Sequence, residues 1–196
     1  MRQLARFSAA ALVALLSLSF SAAASAGPRQ DLHRAFVKNL GLKTFKATMT
    51  DLSTNKTVSV MEFQAPDRYR VTVAGQAPSL IIGDYMYMSA GGKSMKMPLP
   101  KGSFSQFRNE QALSELEKGA TVEALGPGLV GKEPALRYGF RSAAGKQQST
   151  STVWVGVRSG LVLQVETRGK NGAQPFSMRM AYSDFDNRAI SIAAPN

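Results

Sequence analysis

The chain has 196 residues, no cysteine, one histidine, and 24 lysines and arginines against 13 acids, a formal charge of +11. Without cysteine there is no disulfide, no thiolate nucleophile and no lipid-acceptor thiol, so stability has to come from an apolar core. A balance this basic favours an anionic partner: lipid headgroups, a membrane surface or an acidic protein.

Taken in chain order, Arg2 and Arg6 precede an apolar run from Phe7 to Phe20 and a small-residue stretch ending Ala24-Ser25-Ala26. That three-part plan predicts a secretory signal over residues 1–26, cleaved after Ala26. The run is too short to span a bilayer, and no later segment approaches spanning length. The two arginines are separated, which does not suggest the twin-arginine route. The expected mature chain is residues 27–196: one domain, exported to the periplasm as a soluble monomer, with a charge of +9 once Arg2 and Arg6 are gone. An exported chain without a stacking aromatic motif is not expected to meet nucleic acid.

Residues 28–40 read as a helix, with Pro28 in the first turn, Asp31 at the positive end and Gly41 as a stop. Leu32, Ala35, Phe36 and Leu40 follow helical spacing, and Arg29, His33, Arg34 and Lys38 lie outside that stripe. Thr44 to Leu52 is strand-like, with Phe45, Ala47 and Met49 alternating against polar neighbours. A turn at Ser53–Lys56 leads into the longest β-rich stretch. Val58–Phe63 ends at Gln64-Ala65-Pro66, after which Tyr69, Val71 and Val73 alternate with Arg68, Arg70 and Thr72. Ser79–Ile82, Tyr85–Met88 and Ser94–Met97 follow, turned by Gly83-Asp84 and Gly91-Gly92. These connections are too short to hold crossover helices, so the sheet must be antiparallel.

Pro98-Leu99-Pro100 ends strand character, and the capping-box spacing of Ser103 and Gln106 predicts a helix from there to about Lys118. Its expected apolar stripe is Phe104, Phe107, Leu113 and Leu116. Strands return at Thr121–Leu125 and Glu133–Arg141, flanking a Gly- and Pro-rich connection from Gly126 to Gly131. Thr150–Val157, Leu161–Arg168 and Phe176–Phe185 complete the pattern, with turns at Ser159-Gly160 and Lys170-Asn171-Gly172. The fold class expected is mainly β, about ten strands covered by two amphipathic helices.

No arrangement of residues carries catalytic chemistry. There is no GxSxG elbow, no cysteine, and a single histidine, His33. The close carboxylate pairs, Glu115/Glu117 and Asp184/Asp186, lie outside any apolar run that would drive two pKa values apart. Gly91-Gly92-Lys93 lacks the strand–loop–helix setting of a phosphate loop. The chain is therefore read as a non-enzyme without a cofactor.

Methionine is the unusual inventory, with Met86/Met88, Met95/Met97 and Met178/Met180 each spaced to share a strand face. The first two pairs flank the Gly91-Gly92 turn and could meet across a hairpin. Thioethers suit Cu(I), which makes a copper-binding protein one reading. A deformable apolar surface for a ligand of variable shape is the other. No histidine or cysteine accompanies the methionines, so no metal is expected.

Phe63–Val71 (FQAPDRYRV), Leu80–Met88 (LIIGDYMYM), Val153–Glu166 (VWVGVRSGLVLQVE) and Tyr182–Pro195 (YSDFDNRAISIAAP), with a helix before and between them, resemble the LolA-like lipoprotein-carrier superfamily across nearly all of residues 29–195. The resemblance implies an incomplete antiparallel barrel of about eleven strands, lidded by helices, around an apolar cavity for acyl chains. It places Phe45, Met49, Met61, Phe63, Tyr69, Val71, Val73, Met86, Met88, Leu161 and Leu163 at that cavity, and Arg29, Arg34 and Lys38 at headgroups near its mouth. The implied partners are acyl chains of lipid or lipoprotein, with inner- or outer-membrane proteins for loading and release. An envelope-sensing module of the same fold is the alternative. Two positions depart from the family pattern. Ala65 stands where carriers have an arginine that helps to close the lid, and Val155-Gly156 follow Trp154 where relatives often have an acid.

Overall fold

The computed structural model describes residues 27–90, 93–104, 108–118, 120–142 and 149–195. The expected signal segment 1–26, the Gly91-Gly92 turn, Gln106, Phe107 and Gly119 lie outside them. In chain order the elements are α1 (Pro28–Leu40), β1 (Thr44–Asp51), β2 (Lys56–Gln64), β3 (Arg68–Val73), β4 (Ser79–Ile82), β5 (Tyr85–Ala90), β6 (Lys93–Pro98), α2 (Glu110–Glu117), β7 (Thr121–Val130), β8 (Glu133–Ser142), β9 (Ser149–Gly156), β10 (Val162–Asn171) and β11 (Gln174–Ser183).

All eleven strands form one sheet in the spatial order β6-β5-β4-β3-β2-β1-β11-β10-β9-β8-β7. Each neighbouring pair is antiparallel, as the short turns demand. The sheet is thus two meanders, β1–β6 and β7–β11, joined where β1 pairs with β11. β6 and β7 stand at opposite ends of this order, so the sheet is an open, incomplete barrel. The connection 99–120, which contains α2, carries the chain from one edge to the other.

Register decides which face is apolar. Phe45 lies opposite Phe63, Phe63 opposite Tyr69, Tyr69 opposite Ile81, Ile81 opposite Met86, and Met86 opposite Met97. That file of apolar side chains runs along one face from β1 to β6. On the same face, α1 presses Leu32 and Ala35 onto Tyr138, Phe140, Val153 and Val162 of β8–β10. The other face of β1–β3 is covered by the chain end. Arg68 and Arg70 donate to the carbonyl oxygens of Ile192 (2.7 Å) and Ser191 (2.8 Å), and the Ile192 N–H donates to Gln64 Oε1 at 2.7 Å. These bonds hold Ile190 and Ile192 in a buried position.

Two sequence expectations need correction. The Gly- and Pro-rich stretch after Leu125 is not a connection, since β7 runs through it to Val130. As an edge strand, β7 can accommodate Pro127, whose missing N–H matters only on a paired side. Leu125 is the extra residue of a bulge, and Gly126, at φ +80°, provides the backbone turn it requires. The middle helix likewise begins at Glu110, not near Ser103. The Ser103 hydroxyl donates back to the Pro100 carbonyl at 2.6 Å, and the Gly102 N–H donates to Asp84 Oδ1 at 2.8 Å. Residues 99–103 are thereby tied into a turn against the β4–β5 corner, and the hydroxyl is not available as a helix cap.

Candidate functional site

Between the helices and the apolar face of the sheet lies a cavity of about 500 Å³. α1 contributes Phe36, Asn39 and Leu40. The sheet contributes Phe45, Met61, Tyr69, Val162 and Tyr182, and the 99–120 connection adds Phe104, Arg108, Asn109 and Leu113. The wall is mainly apolar, and among the described residues no carboxylate lines it.

Its floor follows directly from strand register. Ring centroids lie 5.0 Å apart for Phe45–Phe63, 5.2 Å for Phe63–Tyr69, 5.5 Å for Tyr69–Phe104 and 5.8 Å for Phe45–Tyr182. Phe45–Phe63 and Phe63–Tyr69 are directly opposed on neighbouring strands and meet at such spacings, whereas Tyr182 reaches Phe45 diagonally from β11 and Phe104 comes from the connection. The roof is pinned by Asn39 in the last turn of α1. Its Nδ2 donates to the Val162 carbonyl (3.1 Å) while its Oδ1 accepts the Val162 N–H (2.9 Å). One side chain thus satisfies both backbone groups at the start of β10, tying the end of the helix to the sheet. Lys38 reinforces this, donating through Nζ to the Ser159 carbonyl at 2.6 Å.

Arg108 is the charged member of the wall. Its guanidinium carbon lies 3.9 Å from the Phe63 ring centroid and 5.1 Å from that of Phe45. Its Nη2 donates to the carbonyl oxygens of Leu40 (3.0 Å) and Asn39 (3.3 Å), the open C-terminal end of α1. Desolvation pushes its pKa down, while the neighbouring Tyr69 and Tyr182 pull it back up. Burial raises the phenol pKa of Tyr69 and Tyr182, against a downward pull from Arg108. Both phenols therefore stay neutral at ordinary pH, with hydroxyl groups able to donate.

Of the residues expected at a cavity, Phe45, Met61 and Tyr69 line this one. Phe63, Leu161 and Leu163 are buried in the adjoining core, against which Val71 and Met86 pack half-buried. Val73, at 36 % exposure, and the half-buried Met49 and Met88 lie farther along the same apolar face. The methionines do meet across the β5–β6 hairpin, Met86 opposite Met97 and Met88 opposite Met95, with Met95 at 44 % exposure. Of the basic residues on α1, Arg29 donates to the Ala120 carbonyl, Arg34 pairs with Asp31 and Lys38 holds Ser159. None of the three lines the cavity. Sequence reasoning missed Asn39, Arg108, Val162 and Tyr182 as wall residues. The available signal for Arg108 was a lone cation next to the apolar Phe104 and Phe107, four and one residues before it.

No helix of the described residues is long and apolar enough to cross a membrane. No protein-family model matches the chain. No curated protein matches it in sequence. Among solved structures it is similar to the lipoprotein LppX of Mycobacterium tuberculosis, at 12% identity and a TM-score of 0.61, over 84% of this chain and 97% of that one. MucB in complex with the periplasmic part of MucA also matches at 12% identity, over 82% of this chain and 54% of the other, with a TM-score of 0.44. At such identities the likeness is one of fold. The protein has a LolA-like fold: an open antiparallel sheet of eleven strands lidded by helices.

Proposed function

We propose that the protein binds acyl chains of a lipid or lipoprotein in the cavity under α1 and the 99–120 connection, as a periplasmic carrier. One observation carries this reading: a cavity of about 500 Å³ whose wall is aromatic and aliphatic apart from a few polar groups. A cavity of ~150 Å³ holds one benzene, so about 500 Å³ corresponds to on the order of 20 carbon atoms. That is room for about one acyl chain.

Energetics fit carriage better than catalysis. Each methylene leaving water gains about 0.8 kcal/mol, so a long chain is held firmly against loss to solvent. Transfer between a bilayer and an equally apolar cavity gains little, which lets cargo exchange in either direction without a chemical step. The apolar face beyond the cavity, through Val71, Val73, Met86 and Met88, extends the path for a chain. In this reading Arg29, Arg34 and Lys38 on α1 meet an anionic membrane surface during loading, Arg34 sharing its charge with Asp31.

The test is direct. Native mass spectrometry of protein purified from its own envelope should find a lipid mass of one chain, and a fluorescent acyl probe should bind with saturable stoichiometry near one. A protein that arrives empty and leaves the probe in solution sinks the proposal.

A further inference from the structure

Resting on that reading, we infer that the cavity selects a single-chain amphiphile with an anionic head, the head meeting Arg108. Arg108 reaches the cavity in an unusual state of charge balance. Among the described residues no carboxylate pairs with it, and its hydrogen bonds run from Nη2 to the Leu40 and Asn39 carbonyls. Those oxygens sit at the negative end of α1, which is worth roughly half an elementary charge. Among the described groups the guanidinium is therefore only partly balanced, and it lies over two aromatic rings with no described acceptor at Nε or Nη1.

A purely structural tie between the connection and α1 would not need a permanent cation. A neutral donor could cap the same two carbonyl oxygens without placing a charge among Phe45, Phe63 and Tyr69. Partly desolvated charges without a partner are costly, and an incoming anion relieves that cost while also being held by it. Tyr69 and Tyr182 line the same cavity and remain protonated, adding neutral hydroxyls beside the guanidinium. A chain of limited length with a carboxylate or a phosphate at one end matches this combination of an apolar wall and a single cation.

Competition against a neutral fluorescent acyl ester tests it, using palmitate, hexadecanol and a palmitoyl lysophosphatidate on the wild-type protein. The anionic ligands should bind about 10- to 100-fold tighter than the alcohol, the range expected of a charge-assisted contact. Tighter binding of palmitate assigns a carboxylate head, and tighter binding of the lysophosphatidate a phosphate head. In Arg108→Gln the anions should lose their advantage, the ratio of their affinity to that of hexadecanol falling to about one whatever the change in hexadecanol binding itself. Should Arg108→Gln not fold, Arg108→Lys, which keeps the charge and loses the planar fork, should retain part of the preference. Equal binding of hexadecanol and the anions to wild type would overturn the inference and leave acyl binding standing. Selectivity that persists in Arg108→Gln would overturn the part given to Arg108. Binding of none of the ligands would instead remove the underlying reading.

Discussion

The two ends of the sheet's apolar face share one architecture and differ in how they are filled. At the β8–β10 end, α1 lies flat on the sheet, and Leu32, Ala35, Val153 and Val162 are all at most 2% exposed. At the β1–β3 end an aromatic row of equal apolarity meets the 99–120 connection, and about 500 Å³ stays open. The difference lies in the cover. α1 is a full helix of 13 residues held by Asn39 and Lys38, whereas α2 has eight residues and is preceded by a turn tied to Asp84. A closed core and an open cavity can thus be built on one face of a single sheet, according to what covers it.

Carboxylates placed at each end should expose that difference. Val153→Asp puts a charge beneath α1 with no partner and no route to water. The expected cost is about 4–5 kcal/mol or more, comparable with the whole stability of many domains. Urea unfolding followed by circular dichroism should show the cooperative transition lost or moved to much lower urea. A variant with a near-normal midpoint would mean that water reaches this end too.

Val71→Glu makes the same change at the half-buried edge of the open end. Water can reach that carboxylate, so the fold should survive with a loss of about 1–2 kcal/mol. Acyl-probe binding should fall at least tenfold. An unfolded variant would make this region closed core, and normal binding would place the chain's path elsewhere.

The last variant changes stability alone, where the two ends meet. Asn39→Ala removes both side-chain bonds to Val162 at the junction of roof and wall. A loss of about 1–2 kcal/mol should lower the melting temperature by roughly 3–6 °C for a chain of this size. No shift by calorimetry would mean that the packing of Leu32 and Ala35 alone seats α1.

Much of this was legible in the residues. The alternation of Tyr69, Val71 and Val73 with charged neighbours marked both a strand and its apolar face, and the register confirms that face from Phe45 to Met97. The Met86/Met88 and Met95/Met97 pairs were readable as cross-strand partners because a short hairpin leaves little choice of register. Gly126-Pro127-Gly128 misled because its composition is that of a loop, and only its place at the sheet edge makes it a strand. Ser103 misled because a hydroxyl with capping-box spacing had already found an acceptor in Pro100. The isoleucines at 190 and 192 look like ordinary tail residues until Arg68, Arg70 and Gln64 bind the backbone around them.

By itself the sequence determined most of the strands and turns and the antiparallel sense of each meander, because side-chain period and turn length act over a few residues. Only the tertiary structure decided that β1 pairs with β11, bringing Lys46 opposite Ser183 and placing Tyr182 beside Phe45. It also decided that Arg108, remote in sequence from every strand of the floor, rests on Phe63. Contacts of that span are fixed by the balance of loop closure against burial over the whole chain, and no local pattern encodes them. Whether an apolar face becomes core or cavity depends on the same long-range choice, since the strands under α1 and those under the connection carry the same alternation.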